Sequence, residues 1–341
     1  DGMPKSAINS GMVDYILPVE EMGSEINRFI EASEAIQLNG ELEDYDEQVL
    51  TKILDYINEN TGLDFSEYKF STLARRVARR VNVCKCETFK EYYRLLQTNP
   101  DEVSILFKEF LIGVTKFFRD PRVWEILSDD LIPEIIERKD DGETLKVWDV
   151  ACSTGEEAYS LAMYINEELR KQNKDLKVKI FATDIAKQHL EIGGNGVYSE
   201  STIADIDTEL VKKYFIKHSD GYQVVEKIRR MVIFSQHNII KNPPFSNMDM
   251  ILCRNLLIYF QQSIQHKTLN VLHYALKENG FLILGTSETV NSHREHFDEI
   301  SRKWKIYRNV SPRRRLNNDS LKPRKNYNRP ENKRQTKFDR R

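Results

Sequence analysis

The sequence has little cysteine and no long apolar run, and these two absences exclude several classes of protein. Cysteine occurs only at Cys84, Cys86, Cys152 and Cys253 in 341 residues, which is not the framework of a disulfide-rich secreted domain. The longest apolar runs, "MDMILC" and "GFLILG", are far shorter than the ~20 residues that cross a bilayer. The first residues contain no basic region followed by an apolar core. The sequence therefore predicts a soluble, cytoplasmic protein without membrane insertion.

The sequence also lacks the spacing of a metal site. "CKC" at residues 84–86 is not followed by a second Cys or His pair at zinc-finger spacing. His293 and His296 in "HREH" are equally isolated in the sequence. We expect ordinary thiols and imidazoles here and no bound metal.

The formal net charge of −2 hides a strong asymmetry between the body and the end of the chain. Residues 311–341 contain twelve Lys and Arg against three Asp and Glu, which gives +9 and leaves −11 for residues 1–310. This tail has almost no large apolar side chains, so it is predicted to be disordered. A solvated linker is the favoured interpretation, and contact with nucleic acid or acidic lipid stays open.

A composition shift marks the first domain boundary. Residues 36–46, "IQLNGELEDYD", are acidic and poor in apolar residues, as is typical of a linker. After them, Val49, Ile53 and Ile57 recur at helical spacing with Leu50 and Leu54 beside them, and Gly62 closes the stripe. A helical domain over residues 47–130 is predicted.

Within that domain, the helix near residues 71–82 combines an apolar face with a dense positive face. Leu73, Val77 and Val81 share one side. The other side is predicted to carry Arg75, Arg76, Arg79 and Arg80. A solvated surface is the plain interpretation. Because clustered like charges destabilise a helix and no carboxylates are interleaved, an acidic partner is preferred.

From about residue 144 the pattern alternates between short apolar strands and amphipathic helices. "TLKVWDVA", "VKIFATDI", "MDMILC" and "GFLILGT" are predicted as strands, separated by helices such as "EEAYSLAMYINEELRK". This order predicts an α/β fold with a doubly wound parallel sheet over residues 131–310. A small antiparallel insertion is expected near residues 198–236.

Two polar features follow the first two strands and predict a nucleoside site. "ACSTGEE" turns at Gly155 but lacks the GxGxxG fingerprint, and Glu156 and Glu157 stand where they would repel a pyrophosphate. Asp184 ends the second strand, where a carboxylate accepts hydrogen bonds from ribose hydroxyls. A sulfonium nucleoside without phosphate, S-adenosylmethionine, satisfies both constraints.

"NPPF" at residues 242–245 resembles the signature of amino-group methyltransferases. In those enzymes the motif follows the fourth strand, beside the methyl donor. Here it precedes the strand "MDMILC". We therefore interpret it as a proline-rich turn that enters a strand.

Five ordered motifs, "LIGVTKFFRD", "ACSTGEEAYSLAM", "FATDI", "SQHN" and "MILCRNLLIYF", resemble the CheR family of chemotaxis-receptor glutamate O-methyltransferases. The resemblance covers roughly residues 46–310. It implies a helical domain, an S-adenosylmethionine-dependent methyltransferase sheet and a small β insertion. Residues 1 to about 30 resemble the end of a CheB methylesterase domain, which implies a segment of a CheB–CheR fusion, with residues 1–35 as the remnant and no esterase activity.

The resemblance also implies roles for individual residues. Arg119 and Tyr259 would be the catalytic residues that flank the methyl group and the substrate. Gly113 and Ala158 depart from the residues that many members have. The cofactor site would be lined by Thr115, Arg119, Glu157, Asp184, Asn238, Ile239, Cys253, Arg254 and Asn255. An acidic receptor helix would contact Arg75, Arg76, Arg79 and Arg80.

The expected reaction transfers a methyl group from S-adenosylmethionine to glutamate carboxylates of a chemoreceptor or related signalling protein and leaves S-adenosylhomocysteine. A glutamate is already ionised at neutral pH, so positioning is the main task of the enzyme. Two alternatives stay open. One is a non-catalytic S-adenosylmethionine sensor. The other, a nucleic-acid methyltransferase, is supported by the +9 tail but opposed by the −11 body.

Overall fold

The computed structural model describes residues 16–24, 26–27, 44–111, 113, 115–219 and 221–311. Residues 19–24 and 26–27 are helical. Most of the expected methylesterase remnant (1–35) and linker (36–46), and residues 312–341 of the tail, lie outside the described residues. In the described ranges no helix is long and apolar enough to span a bilayer.

Four helices form the first structural unit. They are α1 (Asp44–Thr61), α2 (Phe70–Val83), α3 (Phe89–Thr98) and α4 (Pro100–Phe110). The predicted stripe of α1 is confirmed, because Val49, Leu50, Ile53 and Ile57 are buried in one cluster with the apolar face of α2. The first turn of α1 lies inside the segment that was predicted as a linker.

Polar side chains fix where α3 and α4 begin. The Thr88 side chain accepts a hydrogen bond from the Glu91 N–H. Asn99 accepts from the N–H groups of Asp101 and Glu102, and Pro100 occupies the first turn, where no N–H is needed. These local signals end α3 and begin α4 within two residues of each other.

A parallel sheet forms the second unit. The strands are β1 (Thr144–Val150), β2 (Lys177–Asp184), β3 (Val197–Tyr198), β4 (Phe215–His218), β5 (Gly221–Val224), β6 (Val232–Gln236), β7 (Met248–Cys253), β8 (Leu276–Leu284), β9 (Phe297–Ser301) and β10 (Ile306–Asn309). The main sheet has seven strands in the order β6-β2-β1-β7-β8-β10-β9. Its first five strands pair in parallel, and β10 is antiparallel to both neighbours. The predicted doubly wound α/β sheet is confirmed, with one reversed strand near an edge.

Helices cover both faces of this sheet. They are α5 (Pro121–Ile126) and α6 (Ile132–Glu137), joined by a π-helical turn (Leu127–Leu131), then α7 (Glu156–Lys171), α8 (Lys187–Asn195), α9 (Glu200–Ile203), α10 (Thr208–Tyr214), α11 (Glu226–Arg229) and α12 (Gln262–Ala275), with 3₁₀ turns at Leu257–Tyr259 and Asn291–His296. Alternate residues of β1 explain the two layers: Leu145 and Val147 join the cluster under α7, whereas Trp148 and Val150 join the cluster under α12.

Two predicted boundaries are wrong. Residues 232–236 were assigned to the antiparallel insertion, but they form β6, which pairs in parallel with β2 in the main sheet. Among the described residues, the insertion sheet contains β3, β5 and β4. The helical domain was extended to residue 130, but Phe117, Val123 and Trp124 are buried in the core of the sheet unit. The sheet unit therefore begins before residue 117.

Candidate active site

The loop after β1 approaches the ligand side of the sheet through an unusual backbone. Ala151 (φ 58°), Ser153 (φ 49°) and Gly155 (φ 92°) all adopt left-handed conformations. A Cβ atom on Gly155 would lie 2.7 Å from the Phe234 ring, so this position requires glycine for space as well as for conformation. The loop exposes its backbone at the carboxyl ends of β1 and β2, where nucleosides bind in this class of sheet.

Asp184 ends β2 and ties this loop to the neighbouring strand. Its Oδ2 accepts a hydrogen bond of 2.9 Å from the Ser153 N–H, and its Oδ1 accepts one of 2.8 Å from the Ala186 N–H. Only 9% of the residue is exposed. A carboxylate held in this way has a fixed orientation, and each oxygen keeps acceptor capacity for a further donor.

Arg254 follows β7 and joins three segments of the site. One guanidinium nitrogen donates to Glu157 Oε2 at 2.5 Å, and the other donates to Asp120 Oδ2 at 2.6 Å and to the Arg119 carbonyl at 3.0 Å. Burial lowers the pKa of Arg254, but the charges of Glu157 and Asp120 outweigh this and raise it. Arg254 is therefore a fixed cation that holds the "FFRD" loop and the start of α7 in place.

Asp149 lies beneath this ion-pair group and is 1% exposed. Among the described residues neither of its carboxylate oxygens has a hydrogen-bond donor. Burial, followed by the negative charge and the side chain of Glu157, raises its pKa well above the usual range. These effects favour the protonated form of Asp149 next to the Glu157 carboxylate.

A buried carboxylate also supports the turn after β7. Glu288 accepts hydrogen bonds from the N–H groups of Gly285 (2.6 Å), Asn255 (3.0 Å) and Ile258 (3.3 Å). This support allows Asn255 to keep φ at 60°. Nothing in the sequence pattern singled out Glu288, because its partners are backbone groups and two of the three are 33 and 30 positions away.

The third side of the site comes from the segment after β6. Asn238 accepts from the Ile240 N–H at 2.9 Å, and its own N–H donates to Asn242 Oδ1 at 2.7 Å. Phe245, the last residue of "NPPF", stacks on Phe181 at 4.8 Å between ring centroids. Asn242 thus holds the Asn238 backbone in place. Residues 242–245 do not line the cleft that these segments form.

These segments enclose a cleft of about 1300 Å³, measured out to its open mouth. Of the residues expected at the cofactor and the reacting group, the lining contains Thr115, Arg119, Glu157, Asp184, Asn238, Ile239, Arg254, Asn255 and Tyr259. Cys253 is the exception. Its side chain is 0% exposed and packs in the core under α12, so the thiol does not line the cleft, and the place of Cys253 at the cofactor stays a prediction.

The helical unit supplies a wall of the cleft that the sequence did not indicate. Leu63, Phe65, Glu67 and Tyr68 line the cleft from the connection between α1 and α2. Tyr68 packs its ring against Phe260 at 5.1 Å between centroids. Burial raises the pKa of the Tyr68 phenol, and the carboxylate of Asp184 adds to this shift. The cleft therefore lies between the two units.

The arginine face of α2 is partly different from the prediction. Arg80 is buried and forms two hydrogen bonds of 2.8 Å with the carboxylate of Glu102 on α4. Its expected place on a receptor-facing surface is therefore wrong. Arg76 and Arg79 lie 3.5 and 3.2 Å from Glu109 and keep 31% and 33% of their side chains exposed, and Arg75 is exposed. The neutralising carboxylates come from a neighbouring helix and not from α2.

The strand order, the left-handed loop after β1 and the carboxylate at the end of β2 define an S-adenosylmethionine-dependent methyltransferase. The lining fits this cofactor: Glu157 and Asp184 would repel a phosphate but accept a sulfonium nucleoside. Two family models match the chain: the CheR methyltransferase all-alpha domain over residues 48–111 and the CheR methyltransferase SAM binding domain over residues 113–306. The chain belongs to the CheR methyltransferase family.

Curated relatives agree with this assignment. A chemotaxis protein methyltransferase of Borreliella burgdorferi is 29% identical over 72% of this chain and 89% of its own length. One of Listeria innocua is 30% identical over 69% of this chain and 87% of its own length. An uncharacterized 104.1 kDa protein of Rhodobacter capsulatus is 32% identical over 92% of this chain, which spans 35% of that protein.

Solved structures resemble the chain more distantly. PKMT2 of Rickettsia typhi in complex with AdoHcy is 18% identical over 51% of this chain and 26% of that one, with a TM-score of 0.29.

Proposed function

We propose that this chain transfers the methyl group of S-adenosylmethionine to glutamate side chains in an acidic helical region of a chemoreceptor or a related signalling protein, in the cytoplasm. The observation that carries the proposal is the cleft between the two units. It brings Arg119 and Tyr259 to the same lining as Asp184, and one of its walls comes from residues that lie just before α2 in the chain.

The reaction asks for alignment more than for acid or base catalysis. The cofactor supplies an activated methyl group, and a glutamate carboxylate is ionised at neutral pH. Arg119 would orient that carboxylate through charge-assisted hydrogen bonds. The backbone of Arg119 is fixed, because its carbonyl oxygen accepts hydrogen bonds from the Trp124 indole at 2.8 Å and from Arg254 at 3.0 Å.

Tyr259 is the second residue that we assign to the reacting group. It ends a 3₁₀ turn that leaves the carboxyl end of β7, and its carbonyl accepts a hydrogen bond from the Lys69 N–H at 2.8 Å. Its phenol would hydrogen-bond the acceptor carboxylate or shape the space around the methyl group. Because positioning is the source of rate here, loss of this hydroxyl should lower turnover more than cofactor affinity.

Charge supports an acidic partner. Arg75, Arg76 and Arg79 keep exposed surface on α2, and Glu109 lies 3.5 Å from Arg76 and 3.2 Å from Arg79. Exposed guanidinium groups clustered on one helix face attract an acidic helix.

The test measures transfer of tritiated methyl groups to acidic helical chemoreceptor fragments, with DNA and RNA offered in parallel. We expect label on protein that alkali releases as methanol, which identifies a carboxyl ester. Tyr259→Phe should reduce this transfer about tenfold or more at unchanged affinity for S-adenosylhomocysteine, whereas Tyr274→Phe, on α12 away from the cleft, should not. Label on nucleic acid, or cofactor binding without any transfer, would refute the proposal.

The proposal extends to a CheB–CheR fusion. Its support is the resemblance of residues 1 to about 30 to the end of a methylesterase domain, together with the match of 92% of this chain to a 104.1 kDa protein. Sequencing the complete reading frame tests it: a methylesterase domain upstream is expected, and its absence would refute the fusion.

A further inference from the structure

His189 and Gly113 compete for one small space at the edge of the cleft. His189 lies in the first turn of α8, five positions after Asp184, and lines the cleft. A Cβ atom on Gly113 would lie 2.5 Å from Cε1 and 3.0 Å from Nε2 of the His189 ring. Real Cβ atoms do not approach other atoms so closely, so the ring holds its place only because residue 113 has no side chain.

The same space adjoins the hydrogen bonds that fix Asp184. The Gly113 carbonyl accepts a hydrogen bond of 3.2 Å from the Ser153 hydroxyl. The Ser153 N–H in turn donates to Asp184 Oδ2. The His189 ring is therefore next to the group that presents the carboxylate at the end of β2, on the side of the cleft where a nucleoside is expected.

His189 is partly exposed and lines the cleft. No hydrogen bond or ion pair of its ring is recorded with the described residues, whereas other histidines of the same unit, such as His237 and His293, have recorded partners. A neutral imidazole carries one donor and one acceptor. Both are suited to hydroxyl groups of a ribose.

We propose that His189 is a nucleoside-binding residue of this chain and that Gly113 is required because it leaves room for the ring. The His189 ring nitrogen hydrogen-bonds the ribose of S-adenosylmethionine beside Asp184. Any side chain at position 113 displaces the ring from the cleft. The inference rests on cofactor binding and not on the identity of the methyl acceptor, so a binding measurement separates its failure from that of the proposed function.

A double-mutant cycle tests the proposal by calorimetry with S-adenosylhomocysteine. His189→Ala and Gly113→Ala should each weaken binding by about three- to tenfold, the effect of one lost hydrogen bond. Because both changes remove the same contact, the double variant should bind as weakly as either single variant. Its loss of affinity should not equal the product of the two single losses. The Gly113 backbone is outside the left-handed region, so alanine fits its conformation.

Matched controls exist in the same chain. Gly194→Ala, also on α8, meets no atom within 4 Å, and His218→Ala removes an exposed imidazole on β4. Both should leave binding unchanged. Far-ultraviolet circular dichroism and thermal unfolding establish that each variant is folded. If His189→Ala folds poorly, His189→Gln is the second variant. Because it retains a polar group, it should recover part of the affinity.

A second ligand locates the contact. Methylthioadenosine contains the nucleoside but not the amino-acid group, and His189→Ala should weaken its binding by the same factor. Multiplicative losses in the double variant, unchanged affinity in His189→Ala, or a loss confined to S-adenosylhomocysteine would each overturn the assignment.

Discussion

The N–H of Lys69 donates a hydrogen bond of 2.8 Å to the carbonyl oxygen of Tyr259. Lys69 immediately precedes α2, the arginine-bearing helix, and Tyr259 lines the cleft. Tyr68 and Phe260 form an adjacent antiparallel bridge, and the Gln261 side chain donates to the carbonyls of Ser66 and Tyr68. The proposed receptor-binding surface and the proposed catalytic residue are therefore joined through the backbone.

The carboxylate of Asp184 offers the most direct test of the cofactor site. Asp184→Ala removes the proposed ribose acceptor and the support of the Ser153 N–H. Affinity for S-adenosylhomocysteine should fall by roughly 1 to 3 kcal/mol, as for a lost hydrogen bond to a charged group. Calorimetry measures the change, and an affinity equal to that of the unaltered chain would contradict the assignment.

The buried pair of Arg80 and Glu102 should dominate the stability of the helical unit. Arg80→Ala leaves the Glu102 carboxylate buried without its guanidinium partner, while the Tyr92 hydroxyl still donates to it. Unpairing a buried charge costs about 3 to 5 kcal/mol. Chemical denaturation followed by circular dichroism should show this loss. A loss below about 1 kcal/mol would mean that the pair contributes no more than a surface ion pair does.

The exposed arginines should affect substrate recognition and leave stability nearly unchanged. Arg75→Glu combined with Arg76→Glu reverses charge where side chains face solvent, so unfolding should change by no more than about 1 kcal/mol. Methylation of an acidic receptor fragment should slow at low salt, and the deficit should shrink as salt rises because screening weakens both attraction and repulsion. Initial rates across an ionic-strength series measure this, and equal rates at low salt would show that the arginines only solvate the surface.

The raised pKa of Asp149 predicts that the stability of the folded chain falls as pH rises. Its pKa is raised in the folded chain, chiefly by burial and then by Glu157. The folded state therefore holds a proton that the unfolded state releases, so stability falls as pH rises above the unfolded pKa of about 3.9. Asp149→Asn removes this dependence and should be more stable than the unaltered chain at pH 8, with a smaller difference near pH 5. Urea denaturation at both pH values measures the difference, and a less stable Asn variant at pH 8 would contradict the raised pKa of Asp149.

His293 predicts a loss of stability in the opposite direction, as pH falls. Burial, with the neighbouring rings of His266, His296 and His273, lowers its pKa to about 4. The unfolded chain binds the proton first, so stability is full above the unfolded pKa of about 6.5 and is lost as pH falls toward 4. Nε2 of the ring bonds Asn270 Oδ1 at 2.8 Å in the folded state. His293→Gln should flatten the stability profile between pH 7 and pH 4.5, and an unchanged slope would exclude His293 as its source.

The sequence predicted the sheet and most of the cleft because those features depend on local order along the chain. A buried strand followed by a small-residue loop places Gly155 and Glu157 at the carboxyl edge, and the end of the next strand places Asp184 beside them. Strand β6 was missed because "VIFSQ" follows a β-rich insertion directly, and nothing in its residues distinguishes a parallel partner of β2 from a further hairpin strand.

The error at Arg80 and the missed wall of the cleft come from contacts between segments far apart in the sequence. Arg80 belongs to a run of arginines that is predicted to be exposed as a whole. The carboxylate that pairs with it in the core, Glu102, lies 22 positions later on α4. Cys253 ends β7, where alternation directs its side chain into the core while Arg254 turns to the cleft. The wall from residues 63–68 depends on how two units pack, which no local pattern encodes.

That shared wall changes what a bound cofactor does to the molecule. Residues of two separately packed apolar clusters meet at the cleft, so a ligand there contacts both and favours their association by its binding free energy. Amide protons of α1 to α4 should accordingly exchange more slowly with solvent when S-adenosylhomocysteine is bound, although the nucleoside contacts are on the sheet. A sheet unit expressed from residue 113 onward would lack this wall and bind the cofactor more weakly. Through this linkage, a bound methyl donor would hold the arginine-bearing helix more firmly against the sheet.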